Sequence, residues 1–146
     1  MEDIEIIDDN GPVDIRIVSK YETELGFSFP DSYKLLVSNH DGLRPKKNRF
    51  HYKYNGKEET GDVTFSGYSN PENPESIRNV QQAVYSADNI VVFAICANGD
   101  YVVFNYQDDS EEPSVDLMLH DVYDDNGQMV LVHLSDNFLS FVRKLG

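Results

Sequence analysis

The residues of this chain best suited to chemistry lie in one stretch, FAICANGDYVVFNY, from Phe93 to Tyr106. It holds the only cysteine, Cys96, four residues before an acid, Asp100, with Asn98-Gly99 between them. A thiol beside a carboxylate can serve nucleophilic catalysis if the two side chains meet. A two-residue turn at Asn98-Gly99 would place Cys96 opposite Tyr101, Ile95 opposite Val102 and Phe93 opposite Phe104. Because side chains alternate between faces, Phe93, Ile95, Val102 and Phe104 would share one face, and Ala94, Cys96, Tyr101 and Val103 the other. Both faces are apolar, so the expectation is a central hairpin with Cys96 and Asp100 pointing apart. The thiol then reads as a small buried hydrophobe.

The remaining candidates for chemistry are thinner. DDNG occurs at Asp8–Gly11 and again at Asp124–Gly127. An EF-hand loop with its glycine there needs an acid at position one and a glutamate at position twelve. Those places hold Val122 and His133 in one case, Ile6 and Ile17 in the other, so both segments read as turns. The four histidines (His40, His51, His120, His133) and Cys96 show no zinc-type spacing. His133 alternates with Val132 and Leu134 and is expected on the opposite strand face, while His40 continues a helical apolar stripe and reads as a core histidine. No nucleophile elbow, glycine-rich phosphate loop or paired Cys/His signature is present. No catalytic residue, metal ligand or cofactor is assigned, and the expectation is a protein without enzymatic activity.

The elements that would position these residues follow from periodicity. Val13, Ile17, Tyr21 and Leu25 repeat every four residues between Pro12 and Gly26, which predicts an amphipathic helix. Tyr33, Leu36, Val37 and His40 predict a second one from Pro30 to Gly42. RFHYKY, Asn55-Gly56 and then VTFSGY predict a hairpin, and Ile77, Val80 and Val84 a short third helix. After the central hairpin, PSVDLML and QMVLVHL predict two more strands. A closing helix should start from Ser135 as N-cap and bury Phe138, Leu139, Val142 and Leu145. The sum is an α+β fold: a mostly antiparallel sheet with N-terminal helices, one mid-chain helix and a C-terminal helix packed on it. A length of 146 residues fits a single domain spanning 1–146.

Charge is the unusual bulk property. Twenty-six acids against twelve Lys and Arg give a net charge of −14, which argues against direct contact with nucleic acid or an anionic membrane. The N-terminus is acidic where a signal peptide would be basic, and the longest apolar run, Ile90 to Ala97, falls far short of the roughly 20 residues of a membrane span. The expected location is the cytoplasm. The charge is also segregated. Asp108, Asp109, Glu111, Glu112, Asp116, Asp121, Asp124 and Asp125 form a run without Lys or Arg, whereas Arg44, Lys46, Lys47, Arg49, Lys53 and Lys57 form one without an acid.

Three segments together resemble a known family. YETELGFSFPDSYKLLVSNHDG (Tyr21–Gly42) resembles the opening motif of the SUKH superfamily, E-x-x-LG-x-x-LP-x-x-Y-x-x-x-L followed by NG. IVVFAICANGDYVVFNY (Ile90–Tyr106) resembles its central strands, with Phe93 where members often carry tryptophan and a shorter loop before Asp100. LSDNFLSFVRKL (Leu134–Leu145) resembles its closing helix. The resemblance implies a protein-binding module. Bacterial members are immunity proteins that block a toxin encoded beside them, frequently a nuclease, and fungal relatives are cell-wall assembly regulators acting as interaction hubs. It carries over no catalytic residues. The expectation is therefore an immunity protein that neutralises a cognate toxin by direct contact, with the eight acids from Asp108 to Asp125 as the partner-binding surface. A regulatory hub, and from another class a small hydrolase, are the alternatives.

Overall fold

The computed structural model describes residues 4–84, 88–108 and 112–146. Among them are four helices and nine strands, all strand pairs antiparallel, which is the expected α+β class. A five-stranded sheet runs in the order β5 (Thr64–Phe65), β6 (Ile90–Ile95), β7 (Tyr101–Asn105), β8 (Ser114–Tyr123) and β9 (Met129–Ser135). Two small two-stranded sheets accompany it: β1 (Ile6–Asp8) with β2 (Arg44–Pro45), and β3 (Arg49–Tyr54) with β4 (Lys57–Asp62). Among the described residues no helix is long and apolar enough to cross a membrane.

The helices form where the apolar spacing allows, with ends set by their caps. Helix α1 (Ile15–Leu25) starts only at Asp14, whose side chain accepts from the Arg16 N–H, and stops at Gly26 in the left-handed conformation (φ 80°). The face packed inward carries Val18 and Tyr21, and Ile17, expected inside, is 46 % exposed. Helix α2 (Asp31–Asn39) buries Tyr33, Leu36 and Val37 as expected. His40 is not in the core: it stands just past the helix, 41 % exposed at its side chain, 2.7 Å from Asp9. Helix α4 (Phe138–Arg143) is capped by Asn137, not Ser135, which belongs to β9. Its buried residues are accordingly Phe138 and Phe141, with Leu145 beyond.

Two hairpin registers depart from expectation. Asn55 and Gly56 both have positive φ (52° and 75°), which is the type I′ turn, but the partner of RFHYKY is the polar strand KEETGD rather than VTFSGY. A two-residue loop forces Tyr54 opposite Lys57, so β4 must begin there. Phe50 then lies across from Gly61, where its ring covers the space a Cβ would need. In the central hairpin the loop has three residues: the Gly99 N–H donates to Cys96 O and the Cys96 N–H to Asp100 O, with Gly99 at φ 97°. This type I turn with an αL glycine moves the register, so that Ile95 faces Tyr101 and Ala94 faces Val102. Phe93 becomes an extra residue between Val92 and Ala94, a β-bulge.

The bulge sends Phe93 into the main core. Its ring stacks on Phe104 at 4.2 Å and meets Tyr33 edge-on at 5.6 Å. On that side α1, α2, α4 and Phe50 of β3 pack against Val91, Phe93, Ala94, Cys96, Val102, Phe104, Val115, Leu117 and Leu119. On the other side Val80 of α3 (Ile77–Gln82) and Val84 cover Ile90, Val92, Val103 and Met118. The Gln81 amide of α3 also bonds the free edge of β6, donating to Ile90 O (2.9 Å) and accepting from the Val92 N–H (2.8 Å). Phe93→Ala removes the residue the bulge exists to place, and should cost ~3–5 kcal/mol of unfolding free energy by urea denaturation.

Candidate functional site

Strand β8 is longer than its neighbour β7, and this overrun builds the site. Tyr101 of β7 pairs with Met118, so beyond Met118 the β8 backbone has no further β7 residue to bond. The Asp100 side chain takes over the ladder. Its Oδ1 accepts from the His120 backbone N–H at 3.1 Å and from His120 Nδ1 at 2.5 Å, while Oδ2 accepts from Asn98 Nδ2 at 3.1 Å. A carboxylate offers only acceptors, so Nδ1 carries the imidazole proton. Asp100 is 4 % exposed, whereas the His120 side chain is 37 % exposed and lies against Gly99, where a Cβ would approach its ring to 3.3 Å. The hydrogen bond to Asp100, and then its charge, raise the His120 pKa above the ordinary histidine value.

Beside this pair a groove of about 420 Å³ opens between the strand ends and the β3–β4 hairpin. The hairpin contributes Tyr52, Tyr54 and Glu59, and the main sheet contributes Asn98, Asp100, Leu119, His120, Asp121 and Val122. Tyr52 and Tyr54 reach the same side because they are two residues apart on one strand. Burial, then Asp100 and Glu59, push the Tyr52 phenol up, which keeps it neutral. Asp100, His120 and Asp121 each offer a ligand atom, all within 4.8 Å of one another. Within this trio Asp100 Oδ1 and His120 Nδ1 bond each other.

Cys96 and Asp100, expected on opposite faces, come together instead, because the three-residue loop places them directly opposite each other. The pair is still no nucleophile and acid. Burial first, then the charges of Asp100 and Asp62, push the Cys96 thiol far up, so the carboxylate suppresses the thiolate a nucleophile would need.

Six of the eight acids of the run lie among the described residues, and they stand at separated places along β8. Strand β8 carries ten residues, about 30 Å at the usual strand rise. Asp108 and Glu112 flank one end, and Asp121, Asp124 and Asp125 stand exposed at the other. Asp109 and Glu111 lie outside the described residues. Asp116 sits between the two ends and is 5 % exposed, its carboxylate held by Asn105 (2.8 Å), Ser114 (3.0 Å) and His133 (3.2 Å), so it is no surface charge. Asp124 Oδ1 accepts from the N–H groups of Asn126 and Gln128, which makes it the organiser of the β8–β9 turn. The basic stretch also finds its place. Arg44 pairs with Asp8, Lys46 with Glu5 and Lys53 with Glu58, each at 3.4 Å, so local acids offset half of its charges.

Helices on a five-stranded antiparallel sheet, with a buried Asp100 after its glycine turn, make an α+β fold. The SUKH_6 family, described as SMI1-KNR4 cell-wall, matches residues 17–142, and the chain belongs to it. No curated protein and no solved structure matches the chain.

Of the groove's lining, sequence reasoning singled out Asp121 as a surface acid, and weighed Asp100 and His120 only for catalysis and zinc. Tyr52, Tyr54 and Glu59 carried no signal, since a hairpin's docking position is not written in its own letters. The I′ turn, which fixes Tyr52 opposite Glu59, was the one available clue.

The raised His120 pKa makes a signed prediction. Its stabilisation is complete below the unfolded value of about 6.5 and is lost as pH rises through the folded value. His120→Gln should therefore lose more stability at about pH 6 than at about pH 8.5. Equal losses at both pH values in urea melts would contradict it. In the native protein Cys96 should resist alkylation by iodoacetamide and react only on unfolding.

Proposed function

We propose that this chain is an immunity-type binding protein that neutralises a cognate toxin by direct contact through its acidic surface, without catalysis of its own. The observation that carries this reading is the charge distribution. Local acids offset half of the basic stretch, and exposed acids flank both ends of β8, within a chain of net charge −14. A basic partner, such as a nuclease domain built to hold phosphates, meets that field favourably. The suppressed thiolate of Cys96 and the engaged Asp100–His120 pair support contact rather than turnover. Family membership supports the same class, since SUKH proteins are generally immunity or regulatory proteins.

The family's cell-wall description favours one second reading, a regulatory hub that holds several proteins in turn. The two separate on partner number: immunity requires one toxin, bound tightly, and a hub requires several partners bound transiently.

The test is co-expression with a toxin-like reading frame neighbouring this gene. Growth rescue by this chain and a stable complex are expected, and failure to rescue with no complex formed would overturn immunity to that toxin. Complementary fields raise association rates from ~10⁵–10⁶ to ~10⁸–10⁹ M⁻¹s⁻¹ at low salt. Changing Asp108, Asp109, Glu111 and Glu112 to their amides should therefore slow association and flatten its salt dependence. Unchanged kinetics would remove that end of the surface from the account.

A further inference from the structure

We infer that the groove between the β3–β4 hairpin and the end of β8 receives an arginine side chain projecting from the partner protein. This deepens the binding reading and rests on it. Three acids line the groove: Glu59 on the hairpin wall, Asp121 on the opposite rim, and Asp100 buried at its base. No Lys or Arg belongs to the lining, although Lys57 stands on the same hairpin face, opposite Tyr54 at the tip. The basic side chain in the lining is His120, which Asp100 engages, so Glu59 and Asp121 are the acids that attract an incoming cation.

The other lining residues select among cations. Tyr52 and Tyr54 supply half-buried aromatic surface, and a guanidinium stacks on such rings as well as pairing with carboxylates. Burial and the neighbouring acids keep Tyr52 neutral. Leu119 and Val122 provide apolar surface for the methylene stem that carries the charged head. An ammonium would use the acids but neither the planar stacking nor the forked donors. The volume of about 420 Å³ lies within the usual range for specific pockets, roughly 300–1,000 Å³, so one side chain enters with room for flanking atoms.

Interface energetics give this assignment weight. Binding energy concentrates in a few anchors, with arginine and tyrosine over-represented, while rim charges mainly set the encounter rate. The groove and the exposed acids therefore divide the work: Asp108, Glu112 and Asp125 steer, and the groove retains.

The experiment uses the full ¹⁵N-labelled chain and three probes: N-acetyl-arginine-N-methylamide, its lysine counterpart, and spermidine. Saturable shifts at Tyr52, Tyr54, His120 and Asp121 are expected with the arginine probe, and weaker ones with the lysine probe. The paired change E59Q and D121N should weaken arginine binding by roughly tenfold, the size of losing charge-assisted contacts. D125N should leave it unchanged. Shifts spread over all exposed acids, equal loss in D125N, or tighter binding of lysine or spermidine would overturn the inference in favour of bulk electrostatics. With a toxin in hand, E59Q/D121N should speed dissociation by at least roughly tenfold while association stays near wild type. A toxin bound equally well by this variant sinks the groove and leaves the immunity reading standing. A toxin the wild type does not bind, with the arginine probe still seated, does the reverse.

Discussion

Tyr33 is where the layers of this protein meet. Its ring is completely buried and makes edge contacts with Phe29, Phe93, Phe104 and Phe138, together with a stacked contact to Phe65. These partners come from the loop before α2, from β5, β6 and β7, and from α4, so one residue touches most elements of the main core. A buried phenol also needs a partner for its hydroxyl. Tyr33 finds one in the Tyr68 hydroxyl at 2.7 Å, and the Tyr68 backbone N–H in turn donates to Asp41, a fully buried carboxylate. Asp41 accepts also from Ser69, while its own backbone N–H donates to Gly11 O and its carbonyl accepts from the Asn10 N–H. A single polar line thus runs from the aromatic core to the loops on either side of α1 and α2, and holds them in place.

The same logic of a side chain replacing missing backbone recurs at the edges of the sheet. Gln81 closes the free edge of β6, and Asp100 extends the ladder of β7 to reach His120. In each case a strand ends early and a neighbouring amide or carboxylate satisfies the exposed polar groups. At Gln81 this only docks a helix. At Asp100 it leaves an acid at the base of a groove, because the hairpin of β3 and β4 stands over the overrun of β8 and does not fill it.

Most elements were legible in the sequence because helix stripes, glycine stops and apolar strands are local signals. Registers were not. The bulge at Phe93 and the three-residue loop at Ala97–Gly99 each shift pairing by one residue, and both are chosen by the core's need for the Phe93 ring. Strand KEETGD has no apolar alternation, so its letters carry no strand signal. It is held by the I′ turn and by Phe50 folded over Gly61. Closeness in sequence does not carry over to the surface within the acidic run, because Asp116 on β8 is buried while Asp121, Asp124 and Asp125 are exposed. Of the groove, the acids were visible as letters, and the tyrosines facing them were set by tertiary packing alone.

The hairpin wall is attached to the rest of the molecule at its base. Arg49 and Gly146 exchange two backbone hydrogen bonds (3.0 and 2.8 Å), and the Phe50 ring packs on Phe141 at 5.8 Å. Above that anchor the two strands bond each other, while Tyr52 and Tyr54 pack part-buried against the main core. Glu59, exposed on β4, can therefore change with little effect on folding, whereas Tyr52 and Tyr54 are held to side chains that keep their contact with the core. The hairpin can thus vary at its exposed positions while its part-buried tyrosines and its anchor keep the architecture fixed.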